Sequence, residues 1–507
     1  MKRVASEQHL STQQWGQVVV VAGIGTVLEW FDFYSYAQLN ATLEKVFFPT
    51  SNETIQALSF WGVYAAAFVV RPIGALIFGH IGDTVGRNRC LLLSILAMAF
   101  STIAIGILPT YDTGVYKAGI AAPVLLALLR LLQGLAMGGE FGSAVIYISE
   151  LAERHRRGTF VAILQMSVNA GMIIATLLVM LLQNTLSTDA MLNWGWRVPF
   201  LCASATALLG AFLRRGMPEP HAFLAAARAA RLEAERAAAG GAAPAAPGAA
   251  AVAAKDVIDV EVPEVDAADQ DGVSVAATDA TAPHGLLEGL HGHSNVRTPI
   301  LRLVRNNSLG LFLHVCFMAW VSGAFYTTVS WLAKDLRTYG YPLLMTQGIL
   351  IVSLIPNAVG LFAIGFAIDH GVPALLSNAV LTAVGSALGF AVFWGVGRSL
   401  AVAWGLTALF HFVIGGAMAN VALPCTRIYE PLSRTTGFSF GYNFGYGVLG
   451  GLSPLAVSAI KANLPAASYA FAPAIWLLCL GAISIFGCVG LRMYQPRLGR
   501  PYVGKIE

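Results

Sequence analysis

Charge is scarce in this chain: of 507 residues, 31 are Lys or Arg and 27 are Asp or Glu, which makes only 11% charged. That excludes an arrangement of ordinary soluble domains, whose surfaces need about a quarter of their residues charged. Cysteine is sparse too. The six, Cys90, Cys202, Cys316, Cys425, Cys479 and Cys488, lie in or beside apolar runs without metal-type spacing and read as small packing residues. No Ser-His-Asp set, H-E-x-x-H, P-loop or dinucleotide fingerprint stands in a context that supports chemistry, which argues against an enzyme and against an ATP-driven pump. Segments of alternating polarity are missing as well, so a membrane barrel is excluded.

What the chain has in abundance is apolar length, with 56% hydrophobic residues. Runs of about twenty residues, enough to span ~30 Å as helix, recur twelve times: 16–39, 55–80, 90–109, 119–146, 159–183, 197–214, 307–333, 343–368, 372–396, 399–423, 435–460 and 467–492. Backbone groups in lipid must satisfy one another, so these runs predict helices and an all-α membrane protein. The first run continues for a full span past Lys2 and Arg3 and is read as retained, unlike a signal peptide. The implied organisation is a short N-terminus at 1–15, a six-helix bundle at 16–223, a linker at 224–300, a second six-helix bundle at 301–493 and a tail at 494–507. One alternate set of connections, including Lys2, Arg3, Arg87, Arg89, Arg154, Arg156, Arg157, Arg427 and Arg434, is richer in cations than the other, including Lys45, Lys117, Arg197 and Lys334. Positive loops stay cytoplasmic, so both termini are expected there. The net charge of +4 is then a topological signal and not a nucleic-acid footprint.

Polar residues inside the runs are the candidates for function. Glu29 and Asp32 in GIGTVLEWFDFYSYA share a helix face, with Tyr36 one turn beyond Asp32. An ionisable group near the bilayer centre costs roughly 2.5 to 3.5 kcal/mol on the lenient insertion scale, so a role is the default reading. Arg71 precedes the charged turn of RPIGALIFGHIGDTVGRNR by about two turns of helix; a structural arginine tying helix ends together is the competing account. In that turn Gly79, Gly82 and Gly86 let the backbone reverse, Asp83 suits a helix N-terminus, and Arg87 and Arg89 suit a cytoplasmic surface. The fourth run places Arg130 and Gln133 on one face and Gly134, Gly138 and Gly142 at four-residue steps that invite close packing. Glu140 is ten residues from Arg130, about 15 Å along the axis, so the two need other partners.

Farther on, Gln165 and Asn169 share a face, and Arg197 beside Trp194 and Trp196 reads as an interfacial anchor. The composition then breaks: 224–300 is rich in Ala, Gly and Pro and reads as a disordered linker, with AAARAARLEAERAAA as a short helix at its start. His284, His291 and His293 lack supporting cysteines, and no metal or cofactor is expected. In the second half, Gly365 to Asp369 echoes Gly79 to Asp83 without the paired arginines. Gly437, Gly441 and Gly445 form a small-residue packing stripe, and Tyr442 and Tyr446 fall on another face that suits a cavity lining.

The turn G-x-x-x-D-x-x-G-R-x-R after R-P-x-G resembles the signature loop of the major facilitator superfamily, and its Arg-Pro and Gly-His details resemble the metabolite:proton symporter branch. The patterns E-W-F-D-F-x-x-Y, R-x-x-Q-G-x-x-x-G-G-E, R-R-x-x-x-E-x-x-x-F from Arg214 to Phe223, and the stretch Arg434 to Pro454 resemble the same branch. Glu153 departs from it, standing where related transporters often carry proline, and the linker is longer than the family's central loop. The resemblance implies twelve helices in two pseudo-symmetric six-helix halves with a midplane site. It also implies proton-coupled import of a small metabolite across a bacterial inner membrane, with substrate, protons and lipid as partners; the oligomeric state is open in the sequence, with a monomer as the expectation. A carboxylate is the favoured substrate and a zwitterionic osmolyte the alternative; a transporter-like sensor is disfavoured because no heptad tail follows the last span. Asp32 is then the coupling acid, expected to meet Arg130 near midplane, with Glu29 and Glu140 as alternative proton carriers. Arg71, Arg130, Gln165, Tyr442 and Tyr446 would contact substrate, and Gly79, Asp83, Gly86, Arg87 and Arg89 would control conformational cycling.

Overall fold

The computed structural model describes residues 12–113, 116–214, 299–332, 336, 339–430 and 433–495. The predicted linker at 224–300 lies outside the described residues except for its last two positions, and with it fall the short helix and the three histidines assigned to it. The apolar runs wind as helices: α1 Thr12–Gln38, α2 Glu53–Thr84, α3 Arg87–Gly106, α4 Ala121–Leu151, α5 Arg157–Thr185 and α6 Arg197–Arg214. A second set follows: α7 Pro299–Tyr326, α8 Leu343–Asp369, α9 Ala374–Gly395, α10 Leu400–Ala419, α11 Arg434–Tyr442 and α12 Ala472–Tyr494. Among the described residues, nine helices are long and apolar enough to cross a membrane. Large apolar side chains such as Leu58, Phe100, Leu181 and Leu455 point outward, as a lipid-facing girdle requires.

The irregular backbone is where the expected spans differ. α7 begins eight residues before its expected start at 307, and the two are reconciled by a kink, since Asn307 leaves helical geometry at φ −138° and ψ 22°. α7 is prolonged by a π-helical stretch, Thr327–Leu332, and α11 by another, Asn443–Leu449, before a separate helix, Ser453–Ala462. Such wide turns leave the regular hydrogen-bond ladder and recur at functional sites. α12 starts at Ala472 instead of 467 because Ala466–Phe471, after Pro465, winds as 3₁₀ helix. A short helix, Asn40–Phe47, was not expected; Leu43, Val46 and Phe47 bury its apolar face beside Tyr36, Phe60 and Trp196.

Pairing follows one rule twice. In the first set α1 lies on α5, α2 on α4 and α3 on α6; in the second α7 lies on α11, α8 on α10 and α9 on α12. The same shift of six exchanges the two seams between the halves, α2 with α11 and α5 with α8. The α2–α4 contact is close because Gly138 lies against the backbone of Arg71 and Ala75, where a Cβ would strike the Arg71 carbonyl. Pro72 sits inside α2 next to Arg71, and its missing N–H frees the Phe68 carbonyl at the same level.

Candidate functional site

At one end of the seams each half presents a carboxylate to a helix N-terminus of the other. Asp83, at the end of α2, accepts hydrogen bonds from the Thr435 N–H at 3.1 Å, the Thr436 N–H at 2.9 Å and the Thr436 hydroxyl at 2.7 Å. Asp369, at the end of α8, accepts from the Gly158 N–H and the Thr159 N–H, both at 2.7 Å. In both cases the donors are the second and third residues of the helix, of α11 and of α5, where orphan N–H groups and the positive dipole end favour an anion. Arg87 holds Asp83 in place through a 2.7 Å ion pair and also donates to the Gly82 carbonyl. Glu150 ties the turn to the second half, with Arg434 at 2.8 Å and Arg87 at 3.5 Å. Gly86, at φ 129°, sits in the left-handed region where a side chain would be strained, and Gly79 packs on the Thr436 backbone. Arg89 is exposed and stands apart from this clamp. The opposite end is held more loosely, where Gln347 donates to Gln38 at 3.3 Å.

Midway along the α2–α11 seam lies a buried ion pair, Arg71 Nη2 to Glu29 Oε1 at 3.3 Å. Aromatic rings from both halves wall it: Trp30 meets Phe325 edge-on at 6.2 Å, Phe68 meets Tyr326 at 5.4 Å, and Tyr442 stacks on Tyr446 at 5.0 Å. The Arg71 guanidinium lies over Phe68, and its stem runs past Gly447 of the second half. Trp30 Nε1 and the Tyr446 hydroxyl are buried here without a hydrogen-bond partner among the described residues. Orphaned polar atoms at one spot mark a place built for something else to bond.

Arg130 and Asp32 are brought together, but not in direct contact as expected. Gln133 stands between them, accepting from Arg130 Nη1 at 2.8 Å and donating to Asp32 Oδ2 at 2.7 Å and to Thr102 Oγ1 at 2.8 Å. The reason is aromatic: Arg130 lies 4.1 Å over the ring of Tyr36 and 5.0 Å over that of Phe33, which hold the guanidinium one side chain away. Those partners come from α1 and α4, with the Tyr64 ring of α2 at 6.0 Å, so the contacts of Arg130 lie within the first half. Gln165 donates across the α5–α8 region to the Met418 carbonyl at 2.9 Å, and Asn169 bonds Asn357 at 2.8 Å. Both amides tie the halves together in this conformation. Arg197 donates to the Gly106 and Leu108 carbonyls and so closes the end of α3, a more specific task than an interfacial anchor.

Sequence reasoning missed Tyr326 and the clamp made by Asp369, and it noted Glu150 only as part of the family pattern, with no partner assigned. The Gly365 to Asp369 echo was the available signal for the clamp; Glu150 needed the fold to bring Arg434 beside it.

Residues 18–266 match the family model of the Sugar (and other) transporter family. The chain is 41% identical over 201 residues to the alpha-ketoglutarate permease of Escherichia coli (strain K12), covering 40% of this chain and 46% of that protein. It is 40% identical over 208 residues to a Staphylococcus aureus (strain COL) protein named for proline/betaine transport, covering 41% of this chain and 44% of that one. The matched stretch thus spans just under half the length of these relatives. In overall shape the chain is similar to the proton:xylose symporter XylE, with TM-score 0.69 at 15% identity over 98% of this chain and 99% of the other. It is also similar to the human organic anion transporter MFSD10, with TM-score 0.59 at 17% identity over 94% and 99%. These two likenesses show the major facilitator fold.

Proposed function

We propose that the chain is a multi-pass membrane transporter of the major facilitator superfamily, a proton-coupled symporter importing a small carboxylate by alternating access; the partial family match and the shared fold support this reading. The observation that carries this reading is the buried Glu29–Arg71 pair on the α2–α11 seam, ringed by aromatic groups from both halves. A substrate carboxylate competes with Glu29 for the Arg71 guanidinium, which recognises planar anions well. Tyr446 and Trp30 supply the remaining bonds. The name of the Escherichia coli relative points to the same class of substrate.

Asp32 is the coupling acid in this scheme. Its carboxylate is linked to Arg130 through Gln133, so the position of the bridge sets whether the guanidinium or a proton satisfies it. A shift of Gln133 between two positions therefore turns proton binding on and off. If proton binding and substrate binding favour the same state, each strengthens the other. The Asp83 and Asp369 clamps close one end in this conformation; that end is assigned to the cytoplasm on the charge of its loops, together with both termini and the linker. The protein acts as a monomer in a bacterial inner membrane.

A zwitterion is the second reading. Glu29 and the faces of Trp30, Phe68 and Phe325 suit an alkylated ammonium while Arg71 takes its carboxylate, and the Staphylococcus aureus relative bears a matching name. The deciding experiment is uptake into proteoliposomes of radiolabelled alpha-ketoglutarate and of glycine betaine, each with an imposed acid-outside gradient. Accumulation of alpha-ketoglutarate above equilibrium supports the carboxylate reading, and accumulation of betaine alone moves the assignment to the zwitterion. Uptake of both that ignores the gradient contradicts proton coupling.

A further inference from the structure

The two seams between the halves correspond residue by residue. Arg71 stands twelve residues before Asp83, and Asn357 stands twelve before Asp369. Tyr446 follows Thr435, the first clamp donor of α11, by eleven residues, and Asn169 follows Gly158, the first clamp donor of α5, by the same eleven. Packing keeps this register. Gly138 of α4 lies against the Arg71 carbonyl and Gly415 of α10 against the Asn357 carbonyl, while Gly74 and Gly360 return the contact to the Leu135 and Phe412 carbonyls. Where one seam carries Arg71 and the Tyr446 hydroxyl, the other therefore carries Asn357 and Asn169. The counterpart of the charged pole is neutral.

Both asparagines are buried, and the direction of each amide is fixed by partners that can only accept. The His411 carbonyl takes Asn357 Nδ2–H at 3.1 Å, which leaves Asn357 Oδ1 to accept from Asn169 Nδ2 at 2.8 Å. Asn169 Nδ2 also reaches the Leu354 carbonyl at 3.4 Å. Turning the Asn169 amide over would set its oxygen against both of these acceptors. Asn169 Oδ1 thus remains a buried acceptor with no hydrogen-bond partner among the described residues. A donor placed beside it completes the amide; an acceptor placed there meets a carbonyl oxygen.

An aromatic wall connects this spot to the charged pole. Gly171, two residues beyond Asn169 on α5, packs against Trp30 of α1. The Trp30 ring meets Phe325, which lies 6.0 Å from the ring of Tyr446. Both seams therefore border on the same rings, midway between the halves, where transporters built of two repeats hold their substrates.

We propose that Asn169, held by Asn357, is the neutral pole of the substrate site and selects molecules that carry an O–H or N–H donor besides the carboxylate met by Arg71. Asn169 is then a binding residue, and Asn357 a positioning residue that acts through it. The proposal rests on the reading of the Arg71 seam as the substrate site and narrows its substrate class. Among carboxylates it favours a hydroxy acid over the unsubstituted acid, and among zwitterions a secondary ammonium over a quaternary one.

Isothermal titration of the full chain in lipid nanodiscs tests this with malate against succinate and proline against glycine betaine, pairs in which only the first member has the donor. In whichever pair binds, that member is expected to bind about tenfold tighter to the wild type, the weight of one buried hydrogen bond, and about equally to its partner in Asn169→Ala. Equal affinities in the wild type, or a preference that survives Asn169→Ala, overturns the proposal. Asn357→Ala keeps Asn169 but frees its amide to turn; it is expected to reduce the preference while leaving affinity for the donor-free member within about twofold. An unchanged preference contradicts the positioning role. Arg71→Gln separates the two readings. Wild-type affinity in Arg71→Gln beside a preference lost in Asn169→Ala keeps the neutral pole and rejects Arg71 as the carboxylate's partner, whereas a large loss in Arg71→Gln without any donor preference keeps the seam and rejects the pole.

Discussion

The two halves repeat one helix pairing but differ in what they bury. The first holds Glu29, Asp32, Arg71, Arg130 and Glu140 in its interior. Among the described residues, the second buries no Asp, Glu, Lys or Arg except Asp369, which sits at its end. In their place stand His314, His411, Asn357 and the aromatic wall of Phe325, Tyr326, Tyr442 and Tyr446. Equal backbone architecture therefore does not mean equal work. The half that bears the cost of buried charge is the half proposed to bind and move the proton, and the other supplies shape, rings and neutral bonds. Symmetry returns only at the clamp, where Asp83 and Asp369 cap corresponding positions of α11 and α5.

Breaking the charged half should have the largest effect. Arg71→Gln removes the cation proposed to meet the substrate carboxylate. A charge-assisted bond of about 1.5 to 3 kcal/mol translates into a loss of about 100-fold in affinity for alpha-ketoglutarate, read from the concentration dependence of exchange. An affinity within twofold of wild type would place the substrate elsewhere. The clamp sharpens the comparison because there the halves are alike. Asp83→Asn and Asp369→Asn are each expected to lower the transport rate about tenfold, the weight of one charged cap bond, while leaving affinity nearly unchanged. Stopped-flow uptake measures the rate and equilibrium binding the affinity; a large affinity loss with normal rate contradicts a gating role. Tyr446→Phe, in the neutral half, should cost about fivefold in affinity for one hydroxyl bond of about 1 kcal/mol. Shortening the 224–300 linker to about twenty flexible residues should have the smallest effect of all. Its composition cannot bury a core, and loss of transport with normal insertion would assign it a role.

The helices were legible because hydrophobic length is a local signal, and glycine spacing marked a close-packing face on the fourth run without naming its partner helix. The apolar runs predicted α8 to within one residue at its end, and Gly138 on that face is where α2 comes close. What escaped was three-dimensional. Gln133 was recognised as sharing a face with Arg130, yet its bridging position depends on Tyr36 and Phe33 arriving from α1 over the guanidinium. Glu29 was legible as a costly buried acid, but its pairing with Arg71 requires α1 and α2 to be set side by side. The π-helical stretch that carries Tyr446 has no pattern in the sequence to betray it, since it is set by packing against α7. Gln165 was open to two readings, a substrate contact by resemblance or a bond to a neighbouring helix, and in this conformation its amide donates to the Met418 carbonyl.

The central claim is that the proton is coupled in the first half through Asp32. Its most direct test is paired transport of alpha-ketoglutarate by Asp32→Asn in proteoliposomes: accumulation driven by a pH gradient, and exchange of labelled for unlabelled substrate without one. The account predicts that accumulation is abolished while exchange persists, because the site on the seam still binds and cycles. If Asp32→Asn still concentrates substrate in response to the gradient, Asp32 is not the coupling acid and the assignment of the proton to this bridge is wrong.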